Sequence, residues 1–209
     1  MQIAIVLSGS IVPRIRHLLL HFAAAFMVVA CATSGVPLNS DLIERRYGSY
    51  GVEIRDADAE RRIASLYSGS ADEPTTRTYA ITEFLNPDLA AYRRQHEAIV
   101  GGGSIGSTFR AAGYDIRKQS LFIGELEVPA GYTTLAGLMK VDFPAMLAVH
   151  QYLFVVSKDD NNWSYARITE VHHPDFLSAS ELQTMYGEIV LDDSISDCFH
   201  DFFGPPPGK

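Results

Sequence analysis

The chain predicts an α+β fold: a single domain in which an antiparallel sheet carries helices packed on one face. Three observations carry this. Runs rich in Thr, Val, Ile, Tyr and Phe come in consecutive groups, so that neighbours can pair as hairpins. Helix-period segments with cap residues and glycine stops are inserted between those groups. A parallel fold would instead alternate strand and helix throughout. The 209 residues leave room for one domain and a core that needs no disulfide staples.

The elements follow in order. Ser40-Asp41-Leu42-Ile43-Glu44 predicts a helix start, with Asp41 as cap and Glu44 three residues on, and Gly48 as its stop. Tyr50-Gly51-Val52-Glu53-Ile54 alternates and predicts a strand. Residues 56–60 predict a turn and 62–67 its hairpin partner. A polar loop over 68–74 leads to a third strand over 75–85. Asn86 can cap a helix with Pro87 in its first position, and Leu89, Tyr92, His96 and Ile99 recur on one face. Gly101-Gly102-Gly103 ends it. Ser104 can cap a short helix over 105–112, and Gly113 suits a left-handed C-terminal position.

Residues 114–128 predict one or two strands, and 129–144 an irregular stretch with a helical turn at 135–140. Residues 146–157 predict a long apolar strand, 158–162 a hairpin loop, and 163–173 the returning strand. Ser178 or Ser180 can cap a helix through Tyr186, stopped by Gly187. Beyond Leu191 the tail is acidic and aromatic, and its closing Gly-Pro-Pro-Pro-Gly-Lys holds no regular element.

The N-terminal segment fixes an expected address. Arg14 and Arg16 precede an apolar run, Leu18 to Val29, that is too short to span a bilayer. The run closes on Val28-Val29-Ala30-Cys31. This segment, residues 14–31, resembles bacterial lipoprotein precursors. The resemblance implies that Cys31 is diacylglycerol-modified and that residues 1–30 are removed as a signal peptide; in that class the new amino terminus is often acylated as well. Two or more chains give stable anchoring. Ala32 stands where an Asp would favour inner-membrane retention, so the resemblance implies the outer membrane, facing the periplasm. Residues 31–39 then form a tether, 40–191 the α+β domain and 192–209 the tail.

Residues 1–30 hold two of the 17 basic residues and none of the 25 acidic ones, so residues 31–209 set 15 against 25, a net −10. An acidic domain disfavours nucleic acid and anionic headgroups, which reward clustered Lys and Arg. It favours a basic protein partner in the envelope, or a cationic group. With Cys31 acylated, Cys198 is left as an odd cysteine, buried and inert or open to intermolecular pairing.

Few residues suggest chemistry. Gly101 to Gly106 matches G-x-G-x-x-G, but a helix rather than a strand precedes it, so it predicts a corner and no dinucleotide site. The residual reading is an anion site at the Ser104 helix end, with Arg110 nearby. His172-His173-Pro174-Asp175 is the densest polar group. If the last hairpin centres near Asp160, His150 lies opposite Glu170 and near His172, a candidate two-His, one-carboxylate metal site that a one-residue slip would destroy. Nucleophile motifs are absent, no cofactor is expected, and no catalytic residue is assigned. Phe199, Phe202 and Phe203 form a candidate partner-binding segment, unless the tail folds back on its own domain. The expectation is a non-catalytic binding or scaffolding module; the alternative is a metal-dependent or hydrolytic envelope enzyme using the His/Glu cluster.

Overall fold

The structure, a computed structural model, describes residues 37–128, 133–142 and 144–187. Helix α1 (Asn39–Tyr47) precedes a meander of β1 (Gly51–Ala57), β2 (Arg61–Ser68) and β3 (Thr75–Phe84). Helices α2 (Arg93–Val100) and α3 (Ile105–Ala111) cross to a second group: β4 (Asp115–Val128), α4 (Thr133–Met139), β5 (Ala145–Lys158) and β6 (Asn161–His172). Helix α5 (Ala179–Tyr186) follows. The six strands make one antiparallel sheet in the order β1-β2-β3-β6-β5-β4, with β3 beside β6. This is the expected α+β domain built from hairpins, with one correction: the helices do not all pack on one face, because the apolar residues of the second face also need cover and α4 supplies it.

Side-chain alternation gives the sheet two different faces. One face packs Ala80, Tyr152, Phe154 and Ile168 against Ile99 of α2 and Phe109 of α3. Further along, Ala148 and Ile123 of that face meet Ile43 of α1 and Leu182 of α5. The opposite face, with Ile81, Leu147, Val149 and Val171, packs on Leu135 and Met139 of the short α4. Among the described residues no helix is long and apolar enough to cross a membrane.

Two bulges set which residues face the helices. In β4 Leu121 is the extra residue: Ser120 pairs with Tyr152 and Phe122 with Gln151. The parity therefore flips, so that Lys118, Ser120 and Ile123 share one face. Of the one or two strands expected here, the segment forms one, of 14 residues, carrying this bulge. In β6 the extra residue is Tyr165: Val155 pairs with Ser164 and Phe154 with Ala166.

Local expectations shift in three places. The α-helix after Asn86 starts at Arg93, not at Pro87. Residues 86–92 form successive turns, Leu89 N–H to Asn86 C=O and Tyr92 N–H to Leu89 C=O, and the Tyr92 hydroxyl returns to the Asn86 carbonyl at 2.9 Å. Burying the Tyr92 ring outweighs the cap. Helix α1 begins after Leu38 with no side-chain cap, because Asp41 accepts from Arg110 at 2.8 Å instead. The expected turn at 135–140 is a two-turn helix, α4. Two helix ends are as expected: Gly113 closes α3 with φ 76°, and of Ser178 and Ser180 it is Ser178 that caps α5, in a capping box with Glu181.

Candidate functional site

The apolar face under the helices is interrupted by a polar seam. The Asp159–Asp160 turn places Lys158 opposite Asn161, and the Tyr165 bulge then advances the register by one, so that His150 lies opposite Glu170. His172 lies opposite Thr78 on β3, and Lys118 and Ser120 approach from β4. All of these side chains share the face under α1, α2, α3 and α5.

Each polar group has a specific neighbour. Lys118 Nζ is 3.6 Å from Glu170 Oε2, with side chains 3% and 6% exposed. The Tyr152 hydroxyl donates to Glu170 Oε1 at 2.9 Å. His172 Nδ1 bonds Thr78 Oγ1 at 3.0 Å, and its Nε2 is 3.8 Å from Glu170 Oε2. His150 Nε2 bonds Ser120 Oγ at 2.9 Å, and the Tyr186 ring of α5 lies against the imidazole at 4.5 Å.

Both imidazoles are fully buried. Burial pushes His150 down to about 2, helped by the Lys118 charge and by His172. Burial takes His172 down to about 4, partly opposed by the Glu170 carboxylate. Both are therefore neutral at physiological pH. Burial also pushes the Tyr152 hydroxyl well above its usual range, and Glu170 adds to the effect.

The structure thus brings Glu170 and His172 of the candidate metal set together and puts His150 across the strand from the carboxylate. Among the described residues, His150 Nδ1, Glu170 Oε2 and His172 Nε2 have no hydrogen-bond partner. Among the described residues no group of three His, Cys, Asp or Glu side chains is arranged to hold a metal ion. The Lys118 ammonium occupies the space beside the carboxylate. His173 takes no part; its Nδ1 accepts from the Asp175 N–H at 3.0 Å at the strand end. Cys31, Cys198, Phe199, Phe202 and Phe203 lie outside the described residues.

Next to the seam is a pocket of about 60 Å³ between the sheet and the starts of α1 and α3. Arg62, Tyr50, Lys118, Tyr152 and Glu170 line its sheet side, and Asn39, Ser40 and Ser104 its helix side. Arg62 Nη1 donates to the carbonyls of Ile99 (3.1 Å) and Gly103 (2.8 Å), which ties the glycine corner to the sheet. A helix does precede that corner, and Gly102 alone of its three glycines takes positive φ, 112°. Burial raises the Tyr50 hydroxyl, partly offset by a hydrogen bond with Ser104 and by the Arg62 charge. Arg110 pairs with Asp41 and does not line the pocket.

Sequence reasoning missed Arg62, Lys118 and Asn39. A signal was present for the first two. Arg62 shares strand parity with Ala64 and Leu66, and Lys118 with Ile116, so each basic residue sits on an apolar face. Asn39 was assigned to the tether and gave none. No protein-family model matches the chain, and no curated protein matches it by sequence.

Proposed function

We propose that the protein is a lipid-anchored envelope lipoprotein whose domain is a non-catalytic binding module for another envelope component. The anchor rests on residues 14–31, with Cys31 as the acylated residue and the outer membrane, facing the periplasm, as the address. The observation that carries the binding reading is the pocket. Five strands and two helix starts converge on it with polar groups, which is how small sites fix a ligand's orientation. The groups that could do proton chemistry beside it are committed elsewhere. Both imidazoles are sealed and neutral, Glu170 is held by Lys118 and Tyr152, and the Ser40 hydroxyl turns to Asp41 at 3.4 Å. No serine of the pocket hydrogen-bonds a histidine among the described residues.

Two experiments test this. Cys31→Ala should abolish acylation and release the protein from membranes; unchanged fractionation with no acyl mass on the original protein would refute the anchor. In-cell cross-linking of the lipidated protein should capture a specific envelope partner. If deleting residues 192–209 removes that partner, the contact lies in the Phe199, Phe202 and Phe203 segment. Absence of any partner above background counts against the module.

A second reading, a metal-dependent or hydrolytic envelope enzyme, draws support from the three unpartnered atoms of His150, Glu170 and His172. Stoichiometric zinc in the purified protein, lost in His172→Ala, would establish it. A metal-free protein that folds normally removes it.

A further inference from the structure

We propose that the pocket between the sheet and the starts of α1 and α3 binds a compact oxyanion, a carboxylate or phosphate group. The inference rests on the binding-module reading and names what the module holds.

Charge balance is the first argument. Arg62 is 3% exposed, and its two acceptors are uncharged backbone carbonyls. Its Nε has no partner, and no carboxylate pairs with it among the described residues. A buried cation without a counter-charge is costly, so a fold that keeps one has a use for it. Among the described residues the one carboxylate in the pocket wall, Glu170, is already matched by Lys118. The wall therefore carries two cations and one anion, leaving one positive charge unanswered.

The second argument is the excess of donors. Asn39 is 5% exposed and lines the pocket, and its Nδ2 has no partner among the described residues. It is also the first residue of α1, a helix of nine residues that begins without a side-chain cap. The first-turn N–H groups and the positive end of the helix dipole therefore add to the same side. Asp41, the carboxylate in the first turn of α1, is engaged by Arg110. The volume, about 60 Å³, holds several waters or one small anionic group.

The test is titration calorimetry on the full chain in detergent, using inorganic phosphate, acetate and glycerol phosphate. Asn39→Asp is the informative variant. It keeps the side chain's shape, replaces the free donor with a negative charge, and suits a helix N-terminus, so the fold is retained. Trp163 fluorescence checks that. Arg62→Gln is a second variant, informative where it folds, because Arg62 also holds the glycine corner. At least one anion should bind, and Asn39→Asp should weaken it by about tenfold or more, the loss of one charge-assisted hydrogen bond. Tightest binding of glycerol phosphate points to a lipid headgroup as the source, and tightest binding of phosphate or acetate to a free solute. No binding of any of the three, or binding that Asn39→Asp leaves unchanged, overturns the proposal. A cross-linked partner captured by a protein that binds no oxyanion would leave the module standing and remove only its ligand.

Discussion

Lowering the pH from about 7.5 to about 4.5 should destabilise the fold by about 5 kcal/mol through His150 and His172 alone. In the unfolded chain each imidazole titrates near its usual value of about 6.5. In the folded protein His150 is held at about 2 and His172 at about 4. Both folded values are depressed. Below about 6.5 the unfolded state binds two protons that the native state refuses, so stability is full above that pH and is lost as pH falls. Each group costs about 1.4 kcal/mol per pH unit across its window, and two groups over about two units give the total. Urea unfolding at a series of pH values measures it. Trp163, the only tryptophan, packs 6.4 Å from the Tyr92 ring and 6.3 Å from Tyr114, so its emission reports the core. His172→Asn should remove about half of the pH dependence, which separates the imidazoles from the surface carboxylates. A stability that stays flat over this range, or a slope that His150→Asn and His172→Asn both leave untouched, refutes the claim that these groups are buried neutral.

Three further outcomes are expected. Lys118→Met leaves Glu170 buried beside neutral partners and should cost about 3–5 kcal/mol. Adding Glu170→Gln should recover much of that, and strictly additive losses in the double-mutant cycle would show that the two are not coupled. Phe109→Ala empties a fully buried site against Tyr165, Tyr92 and Phe154 and should cost about 3–5 kcal/mol in chemical denaturation. Ser178→Ala breaks the capping box of α5 and should cost about 1 kcal/mol, visible as a lowered thermal midpoint.

Much of the fold was legible because its signals are local. Thr- and Tyr-rich runs marked the strands, Gly113 and Ser178 marked helix ends, and the hairpin grouping marked an antiparallel sheet. What failed was decided by tertiary contact. Pro87 could start a helix, but burying the Tyr92 ring folded those residues into turns. Asp41 could cap α1, but Arg110, 69 residues away, took its carboxylate. The His150–Glu170 register is the instructive case. A centre near Asp160 predicts the pairing that is seen. Yet the Asp159–Asp160 turn alone would set His150 opposite Thr169 and push it out of phase with Glu170. The bulge at Tyr165 supplies the missing residue. No turn propensity announces that bulge; it exists because both Tyr165 and Ala166 are buried in the core under the helices.

The two bulges share a consequence. Each shifts parity or register by one residue at the edge of the polar seam, and together they gather Lys118, Ser120, His150 and Glu170 on one face. Without the Leu121 bulge, Ile123 could not share a face with Lys118 and Ser120, and the wall between the seam and α5 would change. Stability gives no reason for this gathering. Apolar residues of similar volume in place of a buried ion pair are often neutral or stabilising. The sheet face is well packed on both sides of the seam, so a dry row there would only extend the core. What the seam achieves is electrostatic. Lys118 answers the charge of Glu170 and Tyr152 donates to its Oε1, so the carboxylate's charge at the pocket wall is matched from within. Among the described residues Arg62 is then left as the one buried cation facing the pocket without an answering charge. A seam that neutralises its own anion while leaving a neighbouring guanidinium unmatched makes physical sense where the missing charge arrives from outside.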